Sequence, residues 1–305
     1  MREVKQEGGI RLYPLLVILC LIYPKFVVAQ TNQFKQKIED IVSGSNGEIG
    51  IAVMGLESRE KYLFRESQKF PMQSVFKFPL AMAVLNEVDK GKLSLDQKIH
   101  ITKEDLEPKT WSPVKVKFPE GNIDLTLAEL LSYTVSQSDN ITCDILFKLV
   151  GGTVNVDKYI KSLGIKGIAI KATEMEMSKH WDVQFTNWCQ PPAMLQILDT
   201  FYQGNKLSKS SNAFLWKIMT ETATGPNQIK GMLPKDVSVA HKTGSSGTND
   251  KGITAATNDV GIITLPNGKH LAIVLFLTNS PDPKEKRDEF MARIAKASFD
   301  YYSLK

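Results

Sequence analysis

The sequence predicts an α+β fold: an antiparallel five-stranded sheet, flanked by terminal helices, with an inserted all-helical subdomain. Three observations lead there. Strand-like runs lie near both ends of the chain, a long block between them has helical apolar spacing, and a helical segment stands beside the strands at each end. With 305 residues and 42% hydrophobic content, the chain can bury a core without disulfides or a metal.

Residues 1–29 have a basic start, an apolar stretch from Leu12 to Ile22 and a small-residue exit at Val27-Val28-Ala29. They read as a secretory signal peptide, leaving 30–305 as a single domain with a periplasmic or extracellular destination and no membrane attachment. A membrane anchor is the weaker reading, because Pro14, Pro24 and Lys25 interrupt the run. Asn32–Ser43 has helical spacing, and Glu48–Leu56 and Lys61–Arg65 form a hairpin joined by the polar Glu57–Glu60. Helices are expected over Phe78–Val88, Thr126–Tyr133, Asn140–Val150, Val154–Leu163, Pro192–Tyr202 and Ser210–Glu221. Strands return at Ser238–Lys242, Asp259–Leu265 and Leu271–Thr278, the last two joined by Pro266-Asn267-Gly268, and the helix Pro283–Tyr302 closes the chain. The α/β part thus covers 30–70 and 236–305, the all-α part 71–235, and a cleft should lie between them. Lys171–Gln190 fits neither period. Loops of that length are usually functional, and the plainer reading is a surface excursion pinned by Trp181 and Trp188.

Composition excludes several functions. The net charge is +5, and the first 29 residues contribute four cations against two anions, so no nucleic-acid footprint remains. Loss of Cys20 with the signal leaves Cys143 and Cys189, which nothing in the sequence brings together; both are expected to stay thiols. The four histidines, His100, His180, His241 and His270, are too scattered for a zinc set, and no phosphate-binding glycine loop occurs. No cofactor or metal is expected.

Ser-x-x-Lys occurs three times, at Ser58-Arg59-Glu60-Lys61, Ser74-Val75-Phe76-Lys77 and Ser112-Pro113-Val114-Lys115. Only the middle copy opens an apolar helix, which puts Ser74 and Lys77 one turn apart on one face and Ser74 in the positive field of a helix start. A lysine there can take the serine proton. Ser138-Asp139-Asn140 leads into a second helix, where taken alone it is a helix cap. Lys242-Thr243-Gly244 stands at the end of an apolar strand, where taken alone it is a strand end running into a turn.

Together and in this order, with Glu174 in the irregular loop, these motifs resemble the class A active-site serine β-lactamases over nearly the whole mature chain. The resemblance implies Ser74 as nucleophile, Lys77 as proton acceptor in acylation, Ser138 as proton donor to the β-lactam nitrogen and Glu174 as activator of the hydrolytic water. It also implies that Asn140 binds the substrate's side-chain amide and that Lys242 and Thr243 face its carboxylate. The backbone N–H groups of Ser74 and Ser245 would form the oxyanion hole, and Trp111 would line the cleft mouth unless it is a core residue. Three positions depart from the commonest pattern. Ser178 stands where many members place a water-holding Asn, Glu176 is a rival base, and Val260 and Gln228 occupy the places of a carboxylate-binding Arg, leaving Lys230 or Lys242 with Thr243 to supply positive charge. The longer loop and Ser245-Ser246-Gly247 resemble the extended-spectrum, cephalosporin-preferring branch. The expected function is hydrolysis of penicillins and cephalosporins through an acyl-Ser74, giving antibiotic resistance, with a small β-lactam as the partner and a monomeric enzyme. A penicillin-binding D,D-peptidase and a penicillin-sensing domain share some of these motifs; Glu174 separates the lactamase from the peptidase, and a sensor domain is usually tethered through membrane helices, of which the sequence after residue 29 gives no sign.

Overall fold

The computed structural model describes residues 30–305, so the signal-peptide reading of 1–29 lies outside the described residues. Five antiparallel strands form the main sheet in the order Lys61–Phe64, Glu48–Gly55, His270–Thr278, Thr257–Thr264 and Val239–Ser245. Two strands from the start of the chain therefore pair with three from its end. Glu48 stands opposite Thr278 and Gly55 opposite Leu271.

The sheet is apolar on both faces, which explains why Leu271–Thr278 reads as one continuous hydrophobic run. Ile49, Ile51, Val53, Ile273 and Leu275 point to one side, where they pack with Phe34, Ile38 and Ile41 and with Phe290 and Ile294 of the last helix, Lys284–Tyr302. Ala52, Met54, Val260, Ile262, Val274 and Phe276 point to the other, against the helical block. A helix through 30–43 meets the last helix directly, with the Phe34 and Tyr301 rings stacked 4.5 Å apart. The Pro266-Asn267-Gly268 turn joins its two strands, and Gly268 supplies the positive φ of 78° that the turn requires.

Three helices of the block start on side-chain caps. Thr126 and Glu129 form a reciprocal capping box for Leu127–Ser136, Asp139 caps Asn140–Leu149 and Ser208 caps Lys209–Thr220. The helix Lys77–Asp89, buried from Lys77 to Leu85, runs through the middle, entered by one 3₁₀ turn at Gln73–Phe76.

The structure corrects three expectations. The strand that carries the Lys-Thr-Gly triplet does not end at Lys242, since pairing with Thr257–Thr264 continues to Ser245. The helical block also contains short strands: Lys98–Ile101 pairs with Ile123–Thr126, and Phe70–Pro71 and Ile168–Ala169 flank Trp188–Cys189. These runs are too short to show a period of 2. Finally, Lys171–Gln190 is not pinned by its tryptophans, both of which are partly exposed. Asn187 pins it. Its buried side chain accepts from the Lys171 and Ala172 N–H groups at 2.7 and 2.9 Å and donates to the Ala172 carbonyl at 2.7 Å.

Cys143 and Cys189 are both fully buried and free. Burial pushes each thiol pKa up, so neither offers a reactive thiolate at neutral pH. Thiol titration of denatured, unreduced protein lacking the first 29 residues should find two groups; none, with a mass two units lower, would mean a disulfide.

Candidate active site

Ser74 sits in the 3₁₀ turn and Lys77 at the first position of the α-helix that follows. The residue before the serine, Gln73, has a positive φ of 47°, unusual for a side chain of its size. It is held there by a buried hydrogen bond from its Nε2 to Gln184 Oε1 at 2.6 Å.

Lys77 is the hub of the site. Its Nζ has no solvent exposure and lies 2.8 Å from Ser138 O, 2.5 Å from Asn140 Oδ1 and 2.9 Å from Glu174 Oε1. The same Glu174 oxygen accepts from Ser74 Oγ at 3.3 Å. One carboxylate oxygen therefore touches both the serine and the lysine. Ser138 has a positive φ of 58°, which turns its hydroxyl between two cations: Lys242 Nζ at 2.9 Å and Lys77 Nζ at 3.5 Å. Lys242 is also fully buried, and that burial, reinforced by nearby Lys77, lowers its pKa to about 7.

Asp139, between these two site residues, has a structural task. Its buried carboxylate accepts from Thr142 N, Val114 N and Ser112 Oγ. It thereby caps one helix and ties the Trp111 segment to it. Asn140 joins the same segment, with its N–H on the Trp111 carbonyl and its Nδ2 on Thr110 Oγ1. Trp111 is 63% exposed, which rules out a core position, and its ring nitrogen donates to Gln137 O.

Glu174 opens a one-turn helix, Glu174–Met177. Thr173 caps it together with Glu176, whose carboxylate accepts from Thr173 N at 2.7 Å in a closed capping box. Glu176, the rival base, is thus an exposed cap. Asp144 holds the start of this turn by accepting from Glu174 N and Met175 N at 2.8 and 2.9 Å. Its pKa is pushed up to about 6 by burial, against the opposing pull of those two donors. Ser178 is exposed at the end of the turn and donates its hydroxyl proton to Met175 O. Its oxygen can therefore only accept from another group. Asn140, Asp144, Glu174 and Ser178 line one cavity of about 760 Å³.

On the sheet side, Gly244 approaches the Ser74 turn so closely that a Cβ there would stand 2.5 Å from Met72 O and 3.1 Å from Ser74 N. Asn258, directly opposite Gly244, donates to Pro71 O and Met72 O and so clamps this approach. Ser245 is exposed at the strand end. Val260 is wholly buried in the core, and Lys230 donates to Thr222 O at 3.4 Å. His241, a packed strand residue as expected, lies with its Nδ1 2.9 Å from Asp259 Oδ1, both side chains fully buried.

The structure thus joins Ser74, Lys77, Ser138, Asn140, Glu174, Lys242 and Thr243 in one hydrogen-bonded cluster. Sequence reasoning missed Gln73, Asp144, Gln184, Asn187 and Asn258, which hold the cluster in place. The positive φ at Gln73 leaves no sequence signal, whereas Asn187 could have been suspected as the polar residue ending an unpatterned loop.

A family model described as the beta-lactamase enzyme family matches residues 33–302. The chain is 49% identical to beta-lactamase VEB-1 of Pseudomonas aeruginosa over 94% of its length and 97% of the relative's. It is 42% identical to the extended-spectrum beta-lactamase PER-1 of the same organism, over 90% of this chain and 88% of that one. Among solved structures, a beta-lactamase from Chitinophaga pinensis superposes with a TM-score of 0.86 at 55% identity, covering 88% of this chain and 98% of that one. TLA-1 extended-spectrum beta-lactamase gives 0.87 at 50% identity, with 90% and 99% coverage.

The approach of Gly244 to the Ser74 turn yields a prediction. Gly244→Ala places a methyl group against backbone atoms that cannot rotate away, so it must push the strand from Ser74. Stopped-flow measurement should find the formation of any covalent Ser74 adduct slowed at least tenfold; an unchanged rate would show that the strand moves freely.

Proposed function

The chain belongs to the beta-lactamase enzyme family and hydrolyses the β-lactam ring, giving antibiotic resistance; we propose how its residues divide that reaction. Ser74 Oγ attacks the lactam carbonyl and forms an ester. Its proton passes to the Lys77–Glu174 pair, which the serine already touches through Glu174 Oε1. As the ring C–N bond breaks, the nitrogen takes the proton of Ser138, whose hydroxyl is replenished from the flanking lysines. The N–H groups of Ser74 and Ser245 receive the carbonyl oxygen. Glu174 then takes a proton from water, which attacks the ester carbonyl; the acyl C–Oγ bond breaks and the proton returns through Glu174 to Ser74 Oγ.

The observation that carries this reading is the single Glu174 oxygen shared by Ser74 and Lys77. It puts one base within reach of both half-reactions. Asn140 offers its amide to the substrate's side-chain amide, Trp111 lines the cleft mouth, and Thr243 with Lys242 seats the substrate's carboxylate. Ser178, with its own proton committed to Met175 O, would steady the water as an acceptor. The breadth implied by the extended-spectrum relatives, cephalosporins included, is proposed for this chain as well. So are a monomeric state, the two-part division at about residues 70 and 236, and removal of 1–29 with release to the periplasm or medium. No helix among the described residues is long and apolar enough to cross a membrane.

Glu174→Gln keeps the volume but cannot take the proton of water, so deacylation should slow by about 10² to 10⁴. Intact-mass measurement after mixing with a penicillin should show one persistent adduct, absent in Ser74→Ala. An adduct that instead accumulates in Glu176→Gln would move the base. A parent protein that itself stays acylated for hours would indicate a sensor or a peptidase.

Lys242 also gives a pH dependence. A lysine is cationic below its pKa, so its attraction for a substrate carboxylate is present at acid pH and fades as pH rises through about 7. kcat/KM for a penicillin should fall on that alkaline limb, while kcat/KM for the penicillin's methyl ester should not follow it.

A further inference from the structure

Neither of the two places that the resemblance gives to a carboxylate-binding arginine holds one here, and the buried Arg287, across the sheet from Ser245, has its Nε on Thr257 Oγ1 at 2.8 Å and its Nη1 on Asp282 O. Val260 is buried in the core, and Gln228, 2% exposed, has its Nε2 committed to Asp288 Oδ1 at 3.0 Å. That bond uses one of the two Nε2 hydrogens, while Oε1, an acceptor that repels a carboxylate, has no partner among the described residues. Something else must complete the seat.

The segment Thr222–Gly225 lies along the edge of Val239–Ser245 that carries no sheet partner. Thr222 Oγ1 donates to His241 O at 2.6 Å, and Ala223 N donates to Ser136 O at 2.9 Å. Gly225 packs so tightly that a Cβ would stand 2.6 Å from Thr243 Cγ2. Stapled in this way, the segment holds Thr224 Oγ1 2.5 Å from Thr243 Oγ1. Thr243 is 5% exposed and Thr224 is half-buried, so the hydroxyl pair has one inner and one outer member.

We propose that Thr224 is a further substrate-binding residue, which together with Thr243 presents two hydroxyl donors to the carboxylate on the substrate's second ring. In the free enzyme one hydroxyl donates to the other. When a carboxylate arrives, both protons turn to its two oxygens, and a neutral–neutral hydrogen bond is exchanged for two charge-assisted ones. Hydrogen bonds thus supply part of what a guanidinium would supply as charge. The proposal rests on the reading that Thr243 faces the carboxylate.

The test compares benzylpenicillin with its methyl ester in the parent enzyme, Thr224→Val and Thr224→Ser. Valine keeps the shape and removes the donor; serine restores it. We expect the parent to prefer the acid. In Thr224→Val, the ratio of kcat/KM for acid over ester should fall about tenfold, through a raised KM for the acid with kcat within about twofold, and Thr224→Ser should recover most of the ratio. A parent-like ratio in Thr224→Val would overturn the role of Thr224 while leaving the carboxylate seat at Thr243 intact. No preference of the parent for the acid would overturn that seat and the proposal with it. Equal losses on acid and ester that serine does not rescue would make Thr224 a structural residue and overturn the proposal as well.

Discussion

A cation with no access to water organises this molecule. Lys77 is fully buried, and a buried charge is tolerated only where hydrogen bonds and an opposite charge compensate for its lost hydration. Its partners come from three places: the turn at Ser138, the helix start at Asn140 and the loop at Glu174. Removing one partner of such a buried pair typically costs about 3 to 5 kcal/mol. The same contacts that make the lysine tolerable therefore fix the serine, the loop and the second helix relative to one another. Stability and chemistry share one set of bonds.

Two of the six non-glycine residues with positive φ among the described residues stand here. Positive φ at a residue other than glycine is uncommon, yet Gln73 and Ser138 both show it, one beside the nucleophile and the other within the Lys77–Lys242 bridge. Each is held by its neighbours. Gln73 is anchored by Gln184, and the segment leading to Ser74 is clamped by Asn258 through the carbonyls of Pro71 and Met72. Asn187 belongs to the same scheme, since its carbonyl receives the Met72 N–H while its side chain gathers the loop.

The sequence carried the fold through two periodicities, and the reacting side chains through their order and spacing. Leu271–Thr278 and Asp259–Leu265 were legible because apolar residues fill both faces of a doubly covered sheet. Ser74, Lys77, Ser138, Asn140 and Lys242 were legible because helix starts and a strand place them at short fixed offsets. What stayed hidden are contacts between residues distant in the chain. Gln73 with Gln184 and Asp144 with Glu174 link segments whose approach only the folded chain reveals. Glu176 shows the opposite case, a local capping box whose Thr-x-x-Glu signature was present but was read as a rival base. Thr224 was invisible because its importance comes from the strand edge it covers.

The main sheet is assembled from both termini, and this governs when the protein can acquire its structure. Glu48–Gly55 finds its central neighbour in His270–Thr278, so the pairing closes a loop that contains most of the chain. A ribosome must release nearly the last residue before that strand exists to pair with. Until then the nascent polypeptide can form helices but cannot close its central layer. Such a chain completes its central layer only when nearly all of it has been made, so its last step of folding joins its two ends.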